Sequence, residues 1–337
     1  MANPSVAVKT DPAGPKFPIS EQGEMPKITA TAEIKDYTPD PKVQLQYQWK
    51  VTLVFDGQGC AHAPQRTVKH DDITQSTAVN TFQIPFKQVR GGTLTITVTV
   101  TGAGSALTAS TKDLLVTGTN PSTGVLAQVA APNQAFRKLM RVESPGLLQF
   151  LTDTCPRFSE DNYGGVGLCQ LTYPAPTDDQ IWSWKENVKG GWALYKQKEA
   201  AAKGYPKSVR DGADFKALVK AYNDKRKAKL QASTPDAGAA AQIKDLDIEL
   251  PDYTDDQLEK DTLRGFNGYA GIHEFRVKLD KDGALIVTED PTGTKGKAEW
   301  EQVSKDERIK FYDQNNVPKN KRGDPNYVED VLSKPGF

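Results

Sequence analysis

Val43-Gln44-Leu45-Gln46-Tyr47-Gln48-Trp49-Lys50-Val51-Thr52-Leu53 places an apolar residue at every odd position. A period of two over this length predicts a strand with one buried face. Thr93-Leu94-Thr95-Ile96-Thr97-Val98-Thr99-Val100-Thr101 repeats the pattern with β-branched residues between Gly91-Gly92 and Gly102-Ala103-Gly104. Ile28–Ile34 alternates loosely, and Thr81–Phe86 and Leu114–Thr117 are shorter runs of the same kind.

Short strands at this regular spacing predict an all-β immunoglobulin-like sandwich over residues 28–120. Before it, residues 1–27 carry Pro4, Pro12, Pro15, Pro18 and Pro26 with little apolar content, which predicts a flexible or extended arm. A chain of 337 residues is long enough for two domains. Lys+Arg and Asp+Glu both number 43, so no global field favours nucleic acid or basic partners. No segment has the roughly 20 apolar residues of a membrane span. Met1–Lys9 lacks a basic stretch followed by an apolar one, so we expect synthesis in the cytoplasm without a signal peptide. Cys60, Cys155 and Cys169 do not make a disulfide framework, and a Cys155–Cys169 pair is left open.

Thr119-Asn120-Pro121-Ser122 closes the β region, and helical texture begins by about residue 125 and runs to 337. Asn133 opens a helix with Phe136, Leu139 and Met140 on one face. Thr177-Asp178-Asp179-Gln180 is a capping box before a stripe of Ile181, Trp184, Val188, Trp192 and Tyr195. Thr254-Asp255-Asp256-Gln257 is another such start. Lys216–Lys229 reads as a basic, solvated helix and Ala232–Ala241 as a hinge. Phe275–Leu279, Lys281-Asp282-Gly283 and Ala284–Thr288 predict a β-hairpin inserted in this mainly helical region.

Glu143 follows Phe136, Leu139 and Met140 by seven, four and three residues, so it shares their helical face. Pro145-Gly146 ends the helix and leaves Glu143 in its last turn. A carboxyl group against an apolar wall keeps its proton to higher pH, as a general acid must; a surface glutamate that happens to fall on the stripe fits the periodicity equally well. Gly164-Gly165-Val166-Gly167-Leu168-Cys169-Gln170-Leu171-Thr172 lacks the terminal Lys-Ser/Thr of a phosphate loop. Its glycines instead let backbone approach a bulky ligand, with the Gln170 amide to orient a sugar.

Glu143-Ser144, Gly167–Thr172, Glu186-Asn187-Val188 with Gly190, Phe266-Asn267-Gly268 and Tyr327-Val328 follow in one order. The series resembles the soluble lytic transglycosylase domain, a relative of goose-type lysozyme, over roughly Pro132 to Leu332 with extra material at 204–251 and across the hairpin. The resemblance implies a mainly α lysozyme-like (α+β) domain that cuts peptidoglycan between N-acetylmuramic acid and N-acetylglucosamine. It implies Glu143 as catalytic acid/base, with Ser144, Gln170, Asn267 and Tyr327 on the glycan groove. Glu186 and Asn187 are implied as the pair that braces the catalytic helix. Cys169 stands where the family has Met, and Pro145-Gly146 departs from its usual small residue plus aromatic.

A hydrolase needs a second carboxylate to hold water. Glu160 and Asp161 lie near where goose-type lysozymes carry one, with Asp153 a further candidate, so muramidase activity is expected and 1,6-anhydro-forming transglycosylase activity is the alternative. A second alternative is a non-catalytic peptidoglycan-binding module of a secretion or phage-tail particle. No cofactor or metal is expected: Cys60, His62, His70, Asp71 and Asp72 match no common zinc spacing. His273 leaves Ser144 without an evident base, so a serine hydrolase is excluded. With no signal peptide, the expected role is a delivered antibacterial effector acting in the periplasm or wall of a target cell. Its implied partners are peptidoglycan, a cognate immunity protein and a secretion-system or phage-tail component.

Overall fold

The strictly alternating segments form the two longest strands. In the computed structural model, which describes residues 3–38, 42–63, 67–70, 72–130, 133–160, 164–234, 238, 242–268 and 271–337, ten strands come first. They are β1 (Ser5–Asp11), β2 (Lys16–Pro18), β3 (Thr29–Lys35), β4 (Gln46–Asp56), β5 (Thr67–Lys69), β6 (Ile73–Thr77), β7 (Thr81–Gln83), β8 (Gly92–Thr101), β9 (Leu107–Ser110) and β10 (Leu114–Thr117). One sheet has the order β1-β3-β7; the other runs β2-β10-β8-β4-β5, with β6 also on β4 and β9 on β8. β4 and β8 pair antiparallel from Gln46↔Thr101 to Val54↔Thr93, so Trp49, Val51, Ile96 and Val98 share one face. That face and Ile28, Ala30, Phe82 and Ile84 of the first sheet make one core. Trp49 stacks on Phe82 within it.

The expected arm is not an arm. β1 pairs with β3 over its whole length, and β2 pairs parallel with β10. Phe17 and Ile19 are each 1% exposed. Pro4, Pro12, Pro15 and Pro18 flank or end β1 and β2, where a missing N–H costs no ladder bond, so proline content alone did not mark an arm.

The helices that follow are α1 (Thr123–Val129), α2 (Gln134–Glu143), α3 (Asp178–Trp182), α4 (Trp184–Asp211), α5 (Ala213–Ser233), α6 (Asp255–Asn267), α7 (Lys305–Gln314) and α8 (Tyr327–Ser333). Both expected capping boxes form, at Thr177 and Thr254, and Ser304-Glu307 makes another. The stripe expected on one helix is divided between α3 and α4, because Ser183 takes extended backbone and its hydroxyl accepts from the Glu186 N–H. Ser183-x-x-Glu186 is itself a helix start.

Two compact units result: Met1–Trp192 with Gly336–Phe337, and Ala193–Pro335. The punctuation at 120–122 lies inside the first, where β11 (Phe150–Thr152) pairs antiparallel with β12 (Cys155–Pro156). There, Phe150, Phe158, Val166, Ile181 and Trp182 belong to the same core as the sheets. Trp182 meets Phe55 edge-on. Lys16 pairs with Asp153, Arg90 with Asp179, and the Trp184 indole donates to the Glu21 carbonyl. Cys60 is disulfide-bonded to Cys155, 95 residues on, and Cys169 is the buried free thiol. This corrects the pairing left open between Cys155 and Cys169, and it removes Cys60 as a metal ligand. Asp71 of that metal set lies outside the described residues.

In the second unit the expected hairpin reduces to a Leu279↔Leu285 bridge around a turn. Beyond that bridge the flanking strands take other partners: β14 (Phe275–Val277) pairs with β17 (Trp300–Gln302), and β15 (Val287–Glu289) pairs with β16 (Lys295–Ala298). β13 (Asp247–Glu249) joins β16 in parallel. Phe215, Leu250, Leu285 and Ala298 centre a small core under these strands. The basic stretch at 216–229 is helical, within α5.

Two outcomes follow. A fragment beginning near residue 125 leaves Phe150 and Trp182 without the sheet residues of their shared core, so it is expected to be insoluble or to lack a cooperative unfolding transition by near-UV circular dichroism; a sharp transition in the fragment would contradict the shared core. Replacing Cys60 and Cys155 together by Ala is expected to lower unfolding free energy by about 2–5 kcal/mol in denaturant titrations, since the bridge closes a long loop. An unchanged midpoint would contradict it.

Candidate functional site

The site expected around Glu143 is built from one helix end and three irregular turns. Asn133 caps α2 by accepting from the Phe136 N–H at 2.9 Å. Phe136, Leu139 and Met140 are fully buried, and Glu143 ends the helix half-buried on the same side. Phe136 meets Trp192 edge-on, which packs α2 on α4.

Ser144 caps the helix rather than facing solvent. It is 0% exposed; its hydroxyl accepts from Leu148 N at 2.8 Å and donates to Leu148 O at 2.9 Å. These bonds close the turn that follows Glu143, so Ser144 shapes the site from behind. Gly146 and Leu147 both take positive φ in that turn, at 82° and 55°.

Gln149, which the sequence reading passed over, is the centre of the next layer. Its Nε2 donates to the carbonyls of Gln180 and Ile181 at 3.1 and 2.9 Å, and its Oε1 accepts from Leu168 N at 3.3 Å. Asn120 Oδ1 accepts from both Gln149 N and Phe150 N at 2.8 Å. The available signal was a lone amide within Leu147-Leu148-Gln149-Phe150-Leu151, since a polar group in an apolar run is buried only with partners.

Asn187 repeats the device from α4. Fully buried, it donates to Val166 O at 2.9 Å and Gln180 O at 3.2 Å and accepts from Cys169 N at 3.0 Å. The bracing expected of the Glu186-Asn187 pair is thus seen at Asn187 as bonds to the Gly-rich run. The Glu186 carboxylate, 45% exposed, pairs with Lys189 at 3.3 Å. Gln170 takes φ 45° and donates from Nε2 to Gly167 O at 2.8 Å, folding its amide onto its own loop.

Cys169 lies close enough to Glu143 to sense its charge. Burial, and then that charge, push the thiol far above its ordinary range, so it stays neutral. Gly191 admits the sulfur: a methyl there would overlap Cys169 Sγ and lie 3.4 Å from Phe136 Cζ. The wall beside Glu143 is therefore a close-packed set of Phe136, Cys169 and Gly191.

Of the remaining candidates, Glu160 is exposed and Asp161 lies outside the described residues. Asp153 pairs with Lys16 at 2.6 Å and its carbonyl accepts from Gly118 N. Asn267 and Tyr327 belong to the second unit. Asn267 ends α6 with its Oδ1 buried and unbonded, and Tyr327 opens α8 at 3% exposure. In that unit His273 is held by Asp261 at 2.9 Å and stacks on Tyr205. Among the described residues no cluster of His, Cys, Asp and Glu is arranged to hold a metal ion. No family model and no curated protein matches the chain.

Gly167 makes the network testable. It has φ 72°, and a methyl would overlap Gln149 Oε1 and lie 2.7 Å from Asn187 Nδ2. Gly164 has φ 78° with open space around it. Gly164→Ala is expected to cost about 1 kcal/mol for its backbone alone, and Gly167→Ala at least about 2 kcal/mol more through overpacking. Equal thermal midpoints for the two variants would contradict the packing described.

Proposed function

We propose that this chain cleaves the glycan strand of peptidoglycan, with Glu143 as the acid that protonates the leaving glycosidic oxygen. The observation that carries the reading is the setting of Glu143: half-buried, it ends a helix whose Phe136, Leu139 and Met140 are fully buried. General-acid cleavage requires a carboxyl group that can hand a proton to the leaving oxygen, and this helix end offers Glu143 in that place. The bonds of Ser144, Gln149 and Asn187 hold the turn after Glu143 and the Gly-rich run in fixed register, which supports a preorganised groove edge. A lysozyme-like fold for this helical region and an immunoglobulin-like fold for the β region are part of the same proposal.

In the cleavage step the Glu143 proton passes to the leaving oxygen as the C1–O bond breaks. The carboxylate left behind then accepts a proton from the incoming nucleophile. If that nucleophile is water, a second carboxylate from Glu160 or Asp161 positions it and the product has a reducing muramic end. If it is the muramyl 6-hydroxyl, Glu143 serves in both half-steps and the product is 1,6-anhydromuramic acid. In this reading Gln170 contacts the glycan. The Cys60–Cys155 bridge supports action in an oxidising compartment such as a target cell's periplasm. A delivered effector of this kind calls for an immunity protein in the producer and a carrier particle.

Glu143→Gln keeps shape and hydrogen bonding but removes the acid, and is expected to reduce lysis of purified wall by at least about a hundredfold. Lysis at the wild-type rate would end the assignment. Mass spectrometry of released muropeptides reads the chemistry: reducing ends that vanish in Glu160→Gln or Asp161→Asn indicate hydrolysis, and anhydro ends that persist in both indicate transglycosylation.

A further inference from the structure

A second concave surface lies on the β region and contains no residue assigned to glycan cleavage. A cleft of about 610 Å³ opens beside β6, with Val51, Leu53 and Ile73 along its floor and Pro85 and Phe86 in its wall. Cavities of roughly 300–1,000 Å³ take small ligands or single anchoring side chains. The rim of this one is charged, carrying Asp72, Lys87 and Arg90.

The strand beside the cleft has an open edge. β6 pairs with β4 along Tyr47↔Thr77 to Val51↔Ile73 and, among the described residues, with no other strand. Alternate N–H and C=O groups of β6 therefore point away from the sheet. Natural edges are guarded by Lys, Pro or bulges, yet Ile73-Thr74-Gln75-Ser76-Thr77 has neither Lys nor Pro and keeps unbroken register with β4.

Both faces of that edge are hollow. On the face opposite the cleft, an open depression of about 450 Å³ is lined by Lys50, Thr74, Ser76, Thr97 and Thr99. A strand laid along β6 would direct alternate side chains to the two faces, one set toward the apolar cleft and the other toward the threonines and Lys50. The charge is one-sided. Lys50 and Lys69 share Asp72 at 3.1 and 3.3 Å, and Arg90 pairs with Asp179. Among the described residues that line the two hollows, Lys50, Lys87 and Arg90 stand against one carboxylate, Asp72. Arg90 also donates to Gln88 Oε1 and Val89 O, so its guanidinium is fixed in place.

We propose that β6 and its two flanking hollows form a docking site for an extended acidic segment of a partner protein, which adds as a strand to β6 with apolar side chains in the cleft and carboxylates toward the cations. Backbone pairing supplies the affinity and the alternating hollows the register, the mode by which exposed sheet edges capture peptides. This inference stands apart from the chemistry assigned to Glu143.

The test uses the full chain and a fluorescein-labelled peptide of alternating Glu and Val, about six residues long to match one strand. Saturable binding by anisotropy is expected, with affinity falling about tenfold or more when Lys50→Glu and Lys69→Glu are combined, and falling with added salt. Amide hydrogen exchange is expected to slow within 73–77 on binding, which contact through side chains alone would not produce. Absence of saturable binding overturns the proposal, as does equal binding of a Lys-Val peptide. So does unchanged exchange in β6, or displacement of the peptide by an N-acetylglucosamine oligosaccharide.

Discussion

Three amides, the half-buried Asn120 and the buried Gln149 and Asn187, hold the segments on which the proposed site depends. Between the end of α2 and the start of α3 the described residues make only short strand pairings and isolated bridges. Backbone N–H and C=O groups buried there lack a helix or an extended sheet to pair with, and an unpaired buried group costs about 1–3 kcal/mol. The amides stand in for the missing secondary structure. Each carries donors and an acceptor on one planar group, so Gln149 joins 168 to 180–181 while Asn187 joins 166, 169 and 180. Register along the Gly-rich run is thereby set by side chains.

The same economy explains why the β region is more than an appendage. The turn after Glu143 leads directly to Phe150, whose ring packs on Trp182 and whose backbone is held at both ends by Asn120. Phe150 and Trp182 in turn lie in the core of the two sheets. The Cys60–Cys155 bridge and the Lys16–Asp153 pair fasten the Phe150–Pro156 hairpin from outside. A bridge across so long a loop acts mainly by restricting the unfolded chain; position in the folded state comes from the aromatic contacts.

The second unit concentrates its polarity inside. Glu274, 1% exposed, accepts from Arg264 and Arg308 at 2.9 Å each and from Gln302 at 2.8 Å. Burial, and then the nearby Arg264, lower the proton affinity of the Arg308 guanidinium, opposed by the Glu274 charge. Arg264 also donates to the carbonyls of Asp324 and Pro325, tying α6 to the segment entering α8. Buried pairs of this kind add little net stability against apolar residues of the same volume, but losing one partner is expensive. Their effect here is to fix which loop lies against which helix.

The sequence by itself determined the elements whose energetics are local. The alternation at 43–53 and 93–101 became β4 and β8, the Thr177 and Thr254 boxes cap the helices they predicted, and the Phe136–Leu139–Met140 face is buried. Each depends on residues a few positions apart, so spacing alone expresses it. The break at Ser183 was written in the same language, as Ser183-x-x-Glu186, but was masked by an apolar stripe that continues across it. Only tertiary structure decided that residues 5–18 pair into sheets, that Cys60 meets Cys155, and that strands near 275–289 take partners at 295–302. It also decided that the Ser144 hydroxyl closes a turn with Leu148 and that Gln149 bonds to the backbone of Ile181. Those outcomes depend on which surfaces meet across a hundred residues, and a partner's identity at that range leaves no periodic mark on either segment.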